Sequence, residues 1–93
     1  MEKVLILGAT GMLGHKLMQI LPRMFNVAGT VRGNAARYKN HPVLGDMTLL
    51  SDIQAENFDS IISAVAQTHP EVIINCIEAV GLARYFYPPK AKF

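Results

Sequence analysis

The sequence predicts an α/β fold: a parallel sheet of about four strands joined by βαβ crossovers. Three observations carry this. Apolar runs without polar alternation, "KVLIL" at 3–7 and "EVIINCI" at 71–77, have the composition of strands buried on both faces. Segments with helical spacing of apolar residues stand between the predicted strands. The resulting order, β-α-β-(loop)-β-α-β, calls for parallel neighbours with right-handed crossovers.

Each element follows in turn. After the first strand at 3–7, apolar residues Leu13, Leu17, Ile20 and Leu21 recur at helical spacing over 12–21, with Met12 and Met18 widening the face. Pro22 stops that helix. "NVAGTV" at 26–31 reads as a second strand. "RGNAARYKNHP" is polar and turn-rich, a loop or a short weak helix, and "VLGD" at 43–46 reads as a third, very short strand. In "MTLLSDIQAENFDSIISAVAQTHP", Phe58, Ile61, Ile62 and Val65 share one helical face, and Pro70 closes the segment. Ser51 with Gln54 resembles a capping box, and Asn57 or Asp59 would cap a later start; a helix over about 58–68 is preferred. The fourth strand is 71–77.

Composition bounds the function classes. Ninety-three residues suffice for one small domain with one core. Half are hydrophobic and 17% are charged, a globular rather than a disordered balance. The net charge is +2 and the basic residues are scattered, which argues against a nucleic-acid partner. No apolar run approaches the roughly 20 residues that span a bilayer, and the apolar N-terminal segment is too short, with no basic lead, to read as a signal peptide. The single cysteine, Cys76, excludes a disulfide framework and suits a reducing, cytoplasmic location. In its apolar run Cys76 reads as a small buried hydrophobe rather than a nucleophile. His15, His41 and His69 share no metal-ligand spacing and read as surface residues.

The chemistry lies in "ILGATGMLG". Gly8, Gly11 and Gly14 stand between a buried strand and an amphipathic helix. A strand that turns sharply into a helix facing a ligand needs this. Gly8 makes the tight turn, Gly11 lets backbone approach a pyrophosphate, and Gly14 lets the helix pack closely on the strands. The free N–H groups and the helix dipole then hold phosphates without a lysine, and the Thr10 hydroxyl is a further donor. Three coincidental glycines in a turn is the alternative; the strand–turn–helix–strand context favours a dinucleotide site. No Gly-Lys-Ser/Thr follows, so this is not a nucleotide-triphosphate loop of that type.

The residue after the second strand chooses the cofactor. An acid there favours NAD, but this chain has "GTVRGNAAR" and no acid between Glu2 and Asp46. Arg32 at the strand's end, with Arg37 beyond it, would pair with the 2′-phosphate of NADP, a contact worth about 1.5–3 kcal/mol. A solvated surface arginine is the alternative, and NAD stays possible. Asp46, after the predicted third strand, would accept from the adenine amino group with Met47 against the ring; otherwise it is a turn or capping residue. Asn75, at the end of "VIIN", would lie near the crevice at the strands' carboxyl ends, or else satisfy loop backbone.

Together "ILGATGMLG", the Gly45-Asp46-Met47-Thr48 step and "HPEVIINC" resemble the extended short-chain dehydrogenase/reductases over residues 3–77. The nearest likeness is to the dTDP-4-dehydrorhamnose reductase-like branch, which acts on nucleotide sugars. The resemblance implies a Rossmann fold, NAD(P) binding and hydride transfer at a sugar carbon. It places Gly8, Thr10, Gly11, Met12, Leu13 and Gly14 around the pyrophosphate and Arg32 at the 2′-phosphate. It places Asp46 and Met47 at the adenine, and Asn75, Cys76 and Ile77 along the ribose side.

Two departures stand out. The family's catalytic tyrosine precedes its lysine by four residues, whereas here Tyr85 is followed at that distance by Pro89 and Tyr87 by Ala91. Glu78 stands where the family has small residues beside the cofactor. Residues 1–77 therefore read as the N-terminal part of an NAD(P)-binding Rossmann domain. Residues 78–93, "EAVGLARYFYPPKAKF", read as an atypical tail, a non-native continuation of a truncated enzyme. The expected role is the NADP(H)-binding portion of an oxidoreductase, inactive alone, with a nucleotide-sugar substrate only in a full-length form. A non-catalytic NADP-binding regulatory or interaction module is the alternative. An uncovered sheet edge would offer a route to self-association.

Overall fold

A computed structural model describes residues 2–77. The tail, with Tyr85, Tyr87 and Lys90, lies outside the described residues. Four parallel strands form one sheet: β1 (Lys3–Leu7), β2 (Asn26–Thr30), β3 (Thr48–Leu50) and β4 (Val72–Asn75), in the spatial order β3-β2-β1-β4. The register sets Leu5 beside Ala28 on one side and Ile73 on the other. The fold class read from the sequence is the one observed.

Two helices cover opposite faces. Helix α1 (Met12–Ile20) lies over the face carrying Val4, Ile6 and Val27, where Met18 is fully buried. Helix α2 (Phe58–Thr68) covers Leu5, Leu7 and Leu50 through Ala64, Ile61 and Val65. The alternation of Val4 and Ile6 against Leu5 and Leu7 is the period-2 consequence of a strand buried on both faces.

Several details depart from the sequence reading. The third strand is Thr48–Leu50, not 43–46. Residues 42–46 are a turn: Gly45 N–H donates to the His41 carbonyl at 2.9 Å, and the His41 Nδ1 accepts from Val43 and Leu44 N–H at 3.0 and 3.1 Å. The buried Leu44 is core without being strand. His15 and His41 are half-buried rather than surface residues, their rings edge-to-face at 5.4 Å. The inward line of α1 is Gly14 and Met18, flanked by Leu17 and Leu21; Leu13 and Ile20 are exposed. Gly14 draws that side of the helix onto the chain beneath it, which turns Leu13 outward. β4 is an edge strand among the described residues, with Val72 and Ile73 exposed rather than buried.

Other expectations match. α2 begins at Phe58, capped by the Asn57 side chain, which accepts from Ser60 N–H. Ser51 and Gln54 form no capping box: Ser51 Oγ accepts from Ala35 N–H at 2.8 Å, and Gln54 N–H donates to Ser60 Oγ at 2.9 Å. The polar stretch after β2 contains one 3₁₀ turn, Ala35–Tyr38. No helix among the described residues is long and apolar enough to cross a membrane.

Candidate functional site

An open cleft of about 400 Å³ lies at the carboxyl ends of the strands. It is lined by Gly8, Thr10, Gly11 and Met12 from the turn between β1 and α1, by Thr30 and Arg32 at the end of β2, and by Ile53, Gln54 and Ala55 after β3. Cys76 and Ile77, after β4, complete it. This is where the strand order reverses direction, between β1 and β4, the place where open α/β sheets bind ligands.

Hydrogen bonds hold the cleft's walls together. Gly8 N–H donates to Thr30 Oγ1 at 3.0 Å and Ala9 N–H to the Thr30 carbonyl at 2.8 Å. Cys76 N–H donates to the Leu7 carbonyl at 2.8 Å. Thr30 is buried within β2 and ties the glycine turn to it at both backbone and side chain. Ile53 N–H donates to the Val31 carbonyl at 3.1 Å, which brings the segment after β3 up to the end of β2.

The glycines divide by cause. Gly8 has φ +87°, a left-handed backbone, and a β-carbon there would stand 3.0 Å from Cys76 and Ile77 backbone atoms. On Gly14 a β-carbon would stand 1.9 Å from the Gly8 carbonyl oxygen. Both are required by the chain's own packing. Gly11 is not: its φ is −71°, and among the described residues beyond its chain neighbours a β-carbon would come no nearer than 3.7 Å. What a side chain on Gly11 would fill is cleft.

Gly11 is also the N-cap of α1, with no side-chain cap and no acid in the first turn. α2 shows the usual remedy, an Asn57 cap and Asp59 in its first turn. The amino end of α1 thus presents uncapped N–H groups and the positive end of its dipole to the cleft, a setting that suits a bound anion. Arg32 is the one charged side chain among the cleft-lining residues. Its Nη2 forms an ion pair with Glu56 Oε1. A backbone N–H, first of all, holds the Glu56 carboxyl below its ordinary range; desolvation opposes this, and the Arg32 guanidinium adds to the lowering. Partial burial pushes the Cys76 thiol up, so it rests protonated at neutral pH.

Of the residues predicted from the sequence, Gly8, Thr10, Gly11, Met12, Arg32, Cys76 and Ile77 meet in the cleft. Gly14 stands behind it as packing, and Leu13 points to solvent. Asn75 lies outside the lining; its Oδ1 accepts from Ile77 N–H at 3.0 Å. Asp46 and Met47 precede β3 instead of following it. They line a separate depression with Pro22, Phe25 and Asn26 at the amino ends of the strands, away from the cleft. Thr30, Ile53, Gln54 and Ala55 were not singled out by sequence. A threonine at the end of a largely apolar strand was the available signal for the first; Gln54 was read only as half of a capping box with Ser51, and Ile53 and Ala55 carry no motif. No group of three or more His, Cys, Asp or Glu able to hold a metal occurs among the described residues.

The profile of the NAD dependent epimerase/dehydratase family matches residues 4–91. The chain belongs to that family. The match takes in most of the segment 78–93 that composition sets apart. Among the family's relatives, a 3-diazoavenalumate denitrifying reductase from Streptomyces sp is 36% identical over 90 residues, 96% of this chain and 27% of that protein. The crystal structure of a candidate epimerase from Burkholderia cenocepacia J2315 superposes with a TM-score of 0.72 over 89% of this chain and 27% of that one, at 19% identity. The chain therefore spans 27% of the length of both proteins. Membership in the epimerase/dehydratase family makes a nicotinamide dinucleotide the cofactor class, and the uncapped α1 terminus and open Gly11 fit such a group.

Proposed function

We propose that residues 2–77 form the NADP(H)-binding portion of an oxidoreductase. The observation that carries this is Gly11, a glycine that the protein's own packing does not demand, at the uncapped amino end of α1 and open to the cleft. The pyrophosphate would lie against the N–H groups of Gly11, Met12 and Leu13, with Thr10 beside them. Arg32 would meet the 2′-phosphate. The bound dinucleotide supplies hydride chemistry.

The adenine reading moves with the third strand. With β3 at Thr48–Leu50, the acid and the apolar residue beyond its carboxyl end are Asp52 and the cleft-lining Ile53, and these would take the adenine in place of Asp46 and Met47. Cys76 and Ile77 would border the ribose, and Asn75 would shape that loop through its bond to Ile77 N–H.

The substrate is proposed as a nucleotide sugar, on the likeness of "ILGATGMLG" and "HPEVIINC" alone. The Streptomyces relative is named for a diazo compound, which supports reductase chemistry and leaves the sugar to be tested. No tyrosine in these 93 residues is followed four positions later by lysine, which supports binding without turnover by this span.

Titration of the chain with NADPH and then NADH, followed by the cofactor's fluorescence, tests the proposal; no tryptophan is present to interfere. Saturable binding with NADPH tighter than NADH is expected, and Arg32→Ala should erase the difference. Absence of binding by both would overturn it.

A further inference from the structure

We propose that Glu56 tunes cofactor preference in this cleft by competing with the cofactor's 2′-phosphate for Arg32. The inference rests on the reading of the cleft as a dinucleotide site.

Arg32 leaves the end of β2 and Glu56 stands in the segment between β3 and α2, one residue beyond Ala55 of the cleft wall. Their side chains meet across the mouth of the cleft in an ion pair, with 71% of the arginine and 54% of the glutamate side chain exposed. Such an exposed, solvent-screened pair is only weakly held, so a ligand can displace it at small cost. The exposure that makes the pair weak also leaves Arg32 within reach of a ligand.

The competition is one of charge. A ribose 2′-phosphate carries close to two negative charges at neutral pH, and the guanidinium fork is the same donor that the carboxylate uses. A phosphate arriving at Arg32 must displace the Glu56 carboxylate from the guanidinium. NADH brings a neutral hydroxyl to the same place and meets no such cost. Arg37, with Nη1 near Gly33, stands on the Arg32 side of this contest and leaves the Arg32–Glu56 pair itself unchanged. Arg32 is therefore a partly neutralised cation, and the NADP preference that its presence predicts is smaller than a bare arginine would confer.

The test compares wild type, E56Q, R32A and the double variant, titrated with NADPH and with NADH at fixed ionic strength. Glu56 is exposed and outside the core, so E56Q keeps the fold. E56Q is expected to bind NADPH about two- to fivefold tighter, with NADH affinity unchanged from wild type. In the R32A background the same substitution should leave NADPH affinity unchanged, since the contested cation is gone. Unchanged or weaker NADPH binding by E56Q would overturn the inference alone, the weaker case meaning that Glu56 orients Arg32 for the phosphate. An E56Q gain that persists without Arg32 would overturn it too, assigning the effect to repulsion of the phosphate by Glu56 itself. Failure of wild type and E56Q to bind either dinucleotide would overturn the cleft reading and the inference together.

Discussion

Gly14 rests directly on the carbonyl of Gly8: a β-carbon at Gly14 would stand 1.9 Å from that oxygen. One backbone group closes the turn and supports the helix that leaves it. Gly14→Ala is expected to push α1 off the sheet and cost about 3 kcal/mol or more, since backbone, not a flexible side chain, must give way. A urea titration followed by circular dichroism would show a much lower midpoint or no folded baseline. A midpoint near wild type would contradict the packing described.

Gly11→Ala should behave oppositely. With 3.7 Å of room for the new methyl, the fold is expected to lose under about 1 kcal/mol. Dinucleotide affinity should fall about tenfold or more, because the methyl occupies the place of the phosphates. Equal losses of stability and binding would mean that the glycine serves the fold after all.

Asp52 has φ +60°, a left-handed backbone carrying a side chain. Asp52→Gly relieves that strain and is expected to gain up to about 1 kcal/mol in stability. The same change removes the carboxylate proposed for the adenine amino group, so NADPH binding should weaken. Thermal melts and cofactor titrations on one preparation would show the two effects with opposite sign.

Burial raises the Cys76 thiol, and the sign of its pH effect follows. The unfolded thiol ionises first, so its contribution to stability is whole below the ordinary thiol range and declines as pH rises through it toward the folded value. Iodoacetamide labelling of the folded chain should be slow at neutral pH and still climbing above the ordinary thiol range of about 8.5. Fast labelling with a plateau near neutrality would contradict this.

The sequence exposes most of the scaffold because β1, β2 and the two helices each carry a strong local pattern. Phe58–Thr68 is helical where Phe58, Ile61, Ile62 and Val65 repeat, and the Asn57 cap is a short-range feature. The third strand escapes because its pattern is local in the wrong place. Val43 and Leu44 look like strand, yet Leu44 reaches the core from a turn fastened by His41, while Thr48–Leu50 has only three residues to announce itself. That shift carries the site with it. Asp46 and Met47 fall at the amino end of the sheet, and the cleft residues Ile53, Gln54 and Ala55 owe their position to pairing of β3 with β2, a long-range fact with no local code. Arg32 is legible as a cation at a strand end; its partner Glu56 arrives from a different loop and is legible only in three dimensions.

The strand order has a consequence for synthesis. β1 precedes in the sequence both strands that flank it, β2 and β4, and its bond from Lys3 N–H to the Glu71 carboxylate waits on a residue 68 positions later. On a ribosome adding about 5–20 residues per second, that interval is several seconds, during which one edge of a strand that is apolar but for Lys3 stays open. Chaperone engagement during translation should therefore concentrate on "VLIL" and fade once "VIIN" has emerged.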